Sequence, residues 1–241
     1  MVEKLEKLLV VKDISKSYVG VQALDRVNLS IDKGEIHCLV GENGSGKSTL
    51  IKIIAGVVEA DEGEIIINGK KFQSLHAIDS ISEGIQVIYQ DLSLFPNLTI
   101  AENISLNQMI ERKKRFVSWE EIRDIAEREL FNIDKKLDLG EKVENISIAN
   151  KQLVAICRAL TQDAKLIIMD EPTTAITKSE INRLFSVILG LKKRGISTLF
   201  VSHKLSEVLQ ISEKVTVIRD GKKVGVYNTE VLDHDTLSFY M

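Results

Sequence analysis

The chain has 241 residues, 44% of them hydrophobic and 28% charged, with a net charge of −3 at neutral pH. That length can bury a sizeable core as one large domain or two small lobes, and the slight acidity excludes a general electrostatic pull toward nucleic acid or an anionic membrane. No apolar run approaches the ~18 residues needed to cross a bilayer, and the charge-alternating start, Met1 to Lys7, lacks the apolar core of a secretory signal, so membrane association is expected only through a partner.

The first part of the chain reads as β-rich. Leu8 to Ile14 and Ala23 to Ile31 are expected strands, and Glu35 to Val40 is a short, nearly all-apolar strand suited to burial on both faces. A helix is expected at about Lys47 to Ala55, stopped by Gly56. Gly63 to Lys70 then reads as a strand, an Asn-Gly turn and a return strand. The middle is helical. Thr99 with Glu102, Ser118 with Glu121 and, further on, Thr177 with Glu180 have capping-box spacing. Ile122, Ile125, Ala126 and Leu130 follow helical periodicity, as do Leu153, Ile156, Cys157 and Leu160 from Gln152 onward. The last third alternates: strand Leu166 to Met169, a helix marked by Ile181, Leu184, Phe185, Ile188 and Leu191, strand Ser197 to Val201, a short helix Lys204 to Gln210, and a hairpin from Val215 to Tyr227 turning at Asp220-Gly221. Such alternation specifies an α/β core around a parallel sheet. The residues from about 94 to 160 form a helical subdomain within it. Cys38 and Cys157, far apart and in apolar surroundings, read as buried thiols rather than a disulfide or metal site, a usage that fits a reducing cytoplasm.

Two motifs carry chemistry. Gly41-Glu42-Asn43-Gly44-Ser45-Gly46-Lys47-Ser48 matches the phosphate-binding loop pattern and lies between an expected strand and an expected helix. Glycines let the backbone curl so that successive N–H groups face phosphate oxygens, and the helix start, with Thr49 in its first turn, adds free N–H groups and a positive dipole end. Lys47 is expected to reach the β- and γ-phosphates and Ser48 to ligate Mg²⁺. The second motif is Leu166 to Pro172, an apolar strand that delivers Asp170 and Glu171 at its C-terminal end, where open α/β sheets bind ligands. Asp170 is expected to hold Mg²⁺ through water, and Glu171 to orient or deprotonate an attacking water.

With these motifs, the chain resembles the ATP-binding subunit of an ABC transporter over essentially its whole length. The resemblance implies a P-loop NTPase core with a mainly parallel sheet, an antiparallel β subdomain and a helical subdomain. It implies ATP and Mg²⁺ as ligands, and ATP hydrolysis as the activity. Gln90 matches the family's glutamine that senses Mg²⁺ and the attacking water, and His203 matches the histidine that contacts the γ-phosphate. Tyr18 matches the aromatic residue that stacks on adenine, with core packing as the rival role. Gly84 to Ile104 and Glu35 to Gly44 resemble the monosaccharide-importer branch, of the ribose and galactose type. There the ATPase polypeptide is a tandem of two such domains, and this chain resembles the N-terminal one, so a second domain is expected beyond it.

The resemblance also implies partners: transmembrane permease subunits docked near Gln90 and the helical subdomain, an extracytoplasmic sugar-binding protein acting indirectly, and a peripheral position on the cytoplasmic face of the membrane. Phe95 and Pro96, just beyond Gln90, suit such docking, although Phe95 could equally pack into the core. The basic run Arg112 to Arg115 reads as a solvated loop, not a nucleic-acid or lipid site, and Trp119 as a packing residue. Rival classes are a soluble ABC protein acting on ribosomes or DNA, whose relatives often carry long basic linkers or coiled-coil insertions not evident here, and a mainly regulatory nucleotide-binding half.

The chain departs from the family at the signature Leu-Ser-Gly-Gly-Gln, which here is Ile146-Ser147-Ile148-Ala149-Asn150. Side chains on Ile148 and Ala149 remove backbone freedom and crowd a loop that must approach the γ-phosphate held by an opposite domain. After Glu171, Thr174-Ala175-Ile176-Thr177 lacks the acid of the family's Ser-Ala-Leu-Asp. The expectation is a sound nucleotide half-site beside a weakened signature half-site, so that the isolated chain binds MgATP but hydrolyses it slowly.

Overall fold

The computed structural model describes residues 6–111 and 118–241. The basic run Arg112 to Arg115 lies outside them. β1 (Lys7–Tyr18) and β2 (Val21–Asp32) form a long antiparallel hairpin closed at Val19-Gly20, followed by β3 (Ile36–Val40), α1 (Lys47–Ile54), β4 (Glu62–Ile67) and β5 (Lys70–Phe72). Next come α2 (Ala77–Ser82), β6 (Ile85–Ile88), α3 (Ile100–Glu111), α4 (Trp119–Asn132) and α5 (Ile148–Leu160). β7 (Leu166–Asp170), α6 (Lys178–Lys193), β8 (Ser197–Val201), α7 (Leu205–Ile211), β9 (Lys214–Arg219), β10 (Lys222–Asn228) and α8 (His234–Tyr240) complete the order.

Two sheets result. An antiparallel sheet has the order β2-β1-β4-β5, and a six-stranded sheet has the order β10-β9-β3-β8-β7-β6. In the second, β3, β6, β7, β8 and β9 run parallel and β10 pairs antiparallel at the edge. β3 and β8 are buried at every residue, which suits their largely apolar sequences, with His37, Ser197 and Thr198 as the buried polar exceptions.

Successive side chains on a strand face opposite sides, and here that alternation sorts residues into two cores. Cys38, Val40, Ile167, Met169 and Phe200 join the helices α3 to α7 in one core, where Phe200 meets Phe185 edge-on at 5.8 Å. Leu39, Leu166, Ile168, Leu199 and Val201 join the antiparallel sheet and α1 in the other. Leu50 and Ile54 bring α1 into that second core, each contributing roughly 2 kcal/mol by burial. Both cysteines are free and buried. Burial pushes the Cys38 thiol up to about 12, so it is not a nucleophile at neutral pH.

The elements extend beyond their expected bounds at several points. β1 and β2 are longer because Asp13 and Arg26, at φ 50° and 47°, carry the ladder through irregular positions. α5 starts at Ile148, four residues before Gln152, because Ser147 caps it: its Oγ accepts from the Asn150 N–H at 3.3 Å. Thr99 with Glu102 and Thr177 with Glu180 form the expected capping contacts, whereas Ser118 accepts from the Glu120 N–H. α2 and α8 have no counterpart in the sequence reading. Each is short, and each begins with a local contact, His76 N–H to Asp79 and Thr236 N–H to Asp233. Trp119 is not a packing residue. It is 62% exposed: as the first residue of α4 it stands ahead of the turns that pack through Ile125, Ala126 and Leu130.

Candidate functional site

Four C-terminal strand ends of the parallel sheet converge. The loop after β3 holds Gly41 to Ser48, β6 leads to Gln90, β7 ends on Asp170 and Glu171, and β8 leads to His203. This is the edge at which open α/β sheets take ligands. A cavity of about 680 Å³ lies there, lined by Asn43, Gly44, Gly46, Lys47, Ser48, Thr49, Gln90, Asp170 and Glu171, with Val21, Gln22, Ala23, Asp220 and Gly221 as its far wall.

The loop's shape depends on missing side chains. A Cβ on Gly41 would lie 2.1 Å from the Ile218 carbonyl oxygen. One on Gly46, at φ 105°, would lie 2.5 Å from the Ala23 oxygen. Only glycine permits such close packing under β2 and β9. α1 then begins at Lys47, and the N–H groups of its first turn have no acceptor within the helix. They open toward the cavity at the positive end of the helix dipole.

Lys47 is buried, and its Nζ donates to the carbonyl oxygens of Gly41 and Glu42, both at 2.8 Å. Burial holds its pKa below the ordinary lysine value, opposed by the charges of Glu171 and Asp170. Asp170 is half-buried, and burial followed by the Glu171 charge raises its carboxyl above the usual range, against Lys47 and Lys52. Glu171 sits at φ 48°, its N–H donates to the Val201 oxygen at 3.0 Å, and its Oε1 lies 3.0 Å from His203 Nδ1.

The structure thus brings together the loop, Gln90, Asp170, Glu171 and His203. Gly41 and Ser45 lie buried beneath the cavity rather than lining it, and Glu42 contributes its backbone oxygen to Lys47. Tyr18 ends β1, 44% exposed, with Lys16 Nζ 5.6 Å from its ring centroid, and does not line the cavity. It is therefore not a core residue. The far wall escaped the sequence reading. Asp220-Gly221 reads only as a turn, and its approach to Ala23 follows from the Asp25 N–H donating to Gly221 O at 2.8 Å and the Gly221 N–H donating to Ser45 O at 3.1 Å.

Ser48 Oγ, Gln90 and Asp170 offer oxygen donors on one cavity wall. A hard donor set of that kind suits Mg²⁺ rather than a softer metal. Ser147, Ile148 and Ala149 do not line the cavity.

Residues 24–174 match the family described as ABC transporter. Among curated proteins, the chain is similar to a ribose/galactose/methyl galactoside import ATP-binding protein of Geobacillus kaustophilus, 42% identical over 228 residues, covering 93% of this chain and 45% of that protein. A ribose import ATP-binding protein of Shouchella clausii is 40% identical over 213 residues, covering 88% of this chain and 43% of the relative. The chain spans less than half the length of these relatives. Among solved structures, a nucleotide-free ATP-binding cassette from an ABC transporter superposes with a TM-score of 0.83 at 27% identity, covering 98% of this chain and 99% of that one. A dimeric bacterial ABC transporter cassette gives 0.78 at 27% identity, covering 92% and 98%.

Proposed function

The chain belongs to the ABC transporter family, and from that premise we propose that it binds MgATP in the cavity above β3 and hydrolyses it as one half of a composite site. The observation that carries this reading is the convergence of Lys47, Asp170 and Glu171 on one cavity beside a helix N-terminus. Loop N–H groups and Lys47 bind the phosphates. Ser48, Gln90 and Asp170 hold Mg²⁺, which when bound neutralises charge on the phosphate oxygens. Glu171 takes the proton from the attacking water, and His203, 3.0 Å away, holds its carboxylate and faces the γ-phosphate. Tyr18, exposed at the hairpin tip, stacks on the base.

The missing lid has a physical basis. Ser147 spends its hydroxyl on capping α5, and Ile148 is 43% exposed in the first turn. This end of α5 presents a side chain where an approaching phosphate needs bare backbone. A better signature from a second cassette, in the part of the protein that the longer relatives possess, would close over Lys47, and the chain alone turns over slowly. We assign the energy of hydrolysis to sugar import, a reading supported by the names of the similar proteins. Permease subunits would dock at the helical subdomain, residues 94–160, on the cytoplasmic side of the membrane. Phe95 suits that contact: its backbone is pinned by Asn103 through bonds of 2.8 and 3.0 Å while its ring is 47% exposed. Among the described residues no helix is long and apolar enough to cross a membrane.

Replacing Lys47 tests the reading at its centre. Lys47→Ala is expected to weaken MgATP binding by at least roughly tenfold, the loss of a charge-assisted contact. Unchanged affinity in a nucleotide titration would remove the phosphate loop from the proposal.

A further inference from the structure

Glu207 is a buried carboxylate with no role in the site described above. It lies in the first turn of α7, and its two oxygens have different partners: Oε2 accepts from the Thr173 hydroxyl at 2.5 Å, and Oε1 lies 3.2 Å from Lys204 Nζ. Lys204 Nζ also donates to the Thr173 carbonyl oxygen at 3.0 Å. Thr173, itself buried, is therefore gripped at both its side chain and its backbone. Lys204 follows His203 by one residue, and Thr173 follows Glu171 by two. A further contact reinforces the Glu171–Thr173 segment, because Gln152 Nε2 on α5 donates to the Pro172 oxygen at 3.0 Å.

Glu171 needs such support. Its φ of 48° is a left-handed conformation for a non-glycine residue, and Ala175 at φ 64° is another four residues on. Backbone of that kind costs roughly 1–3 kcal/mol and persists where the surroundings over-determine it. The Glu171 N–H bond to Val201 O fixes one side only. Thr173, Lys204 and Glu207 fix the other, and they join it to the segment that carries His203.

We infer that Thr173, Lys204 and Glu207 are positioning residues for hydrolysis. They form a clamp, with Thr173 and Glu207 buried and Lys204 at its partly exposed end, that sets the Glu171 carboxylate against His203, and none of them lines the cavity. This rests on the reading that Glu171 acts on the attacking water. The clamp sits behind the cavity, so losing it should leave binding intact while misplacing the base.

The test compares variants of the 241-residue chain for MgATP affinity and for single-turnover hydrolysis with protein in excess. Thr173→Val keeps the shape and removes the hydroxyl. It is expected to slow hydrolysis roughly 10- to 100-fold, the effect of a small misplacement of a catalytic group, with the dissociation constant little changed. Thr173→Ser, which restores the hydroxyl, recovers most of the rate. Should Thr173→Val fail to fold, Lys204→Met, at a partly exposed side chain, carries the same test with the same expected split. A wild-type rate in Thr173→Val, a parallel loss of binding and hydrolysis, or no recovery in Thr173→Ser would overturn the clamp. Glu171→Gln, run alongside, separates the premise from the inference. Hydrolysis surviving in it overturns the assignment of Glu171 and the clamp's role together, whereas hydrolysis lost there but unchanged in Thr173→Val overturns the clamp alone.

Discussion

Asp170 is held in an environment that suits a cation better than it suits the empty fold. Burial and the neighbouring Glu171 raise its carboxyl pKa, and Lys47 and Lys52 offset this only in part. The sign follows from linkage. When the folded pKa exceeds the unfolded one, ionisation is disfavoured in the fold, and stability is lost as pH rises through the folded value. Asparagine carries no such loss. Asp170→Asn is therefore expected to melt above the wild type at pH 7 without nucleotide or Mg²⁺, and the difference should shrink as pH falls through the raised Asp170 pKa. Thermal melts across pH check this, and a pH-independent difference would contradict it. Asp170 and Glu171 were legible in the sequence because a short apolar strand places adjacent acids at its end. The left-handed backbone at Glu171 and its contact with His203 were not, since both depend on packing between segments 32 residues apart.

At the scale of elements, local chemistry predicted starts better than extents. Thr177 is an example: its hydroxyl and backbone N–H both engage Glu180, and the capping box was readable from spacing alone. Thr177→Ala is expected to cost about 1 kcal/mol of stability, read as a lowered denaturation midpoint, with MgATP affinity unaffected. α5 was harder. Compared with a glycine-rich signature, Ile146 to Asn150 looks like a damaged loop, yet it is a capped helix start with Ser147 as the cap. Trp119 misled in the opposite direction. Aromatic side chains usually pack, but this one stands at the first residue of α4, ahead of the packed turns, and is exposed. The cavity's far wall was not legible, because Gln22 and Ala23 meet Asp220 and Gly221 only when β10 packs beside β2, about 200 residues along the chain.

For the whole molecule, two cores share one parallel sheet, and every proposed catalytic side chain comes from one edge of that sheet. That edge was predictable, because strand-loop-helix order alone places ligands there. The same layout leaves the site open. Ser147 and Ile148 stand at the start of a different helix and do not line the cavity, so each chain would offer a nucleotide seat in one place and a weak lid in another. The central claim is that the seat is complete and the lid must come from elsewhere. The most direct measurement titrates the 241-residue chain with MgATP while bound nucleotide and released phosphate are followed in the same sample. One saturable site per chain with slow phosphate release is the expected result. Absence of saturable binding, or brisk turnover by the chain alone, would contradict it.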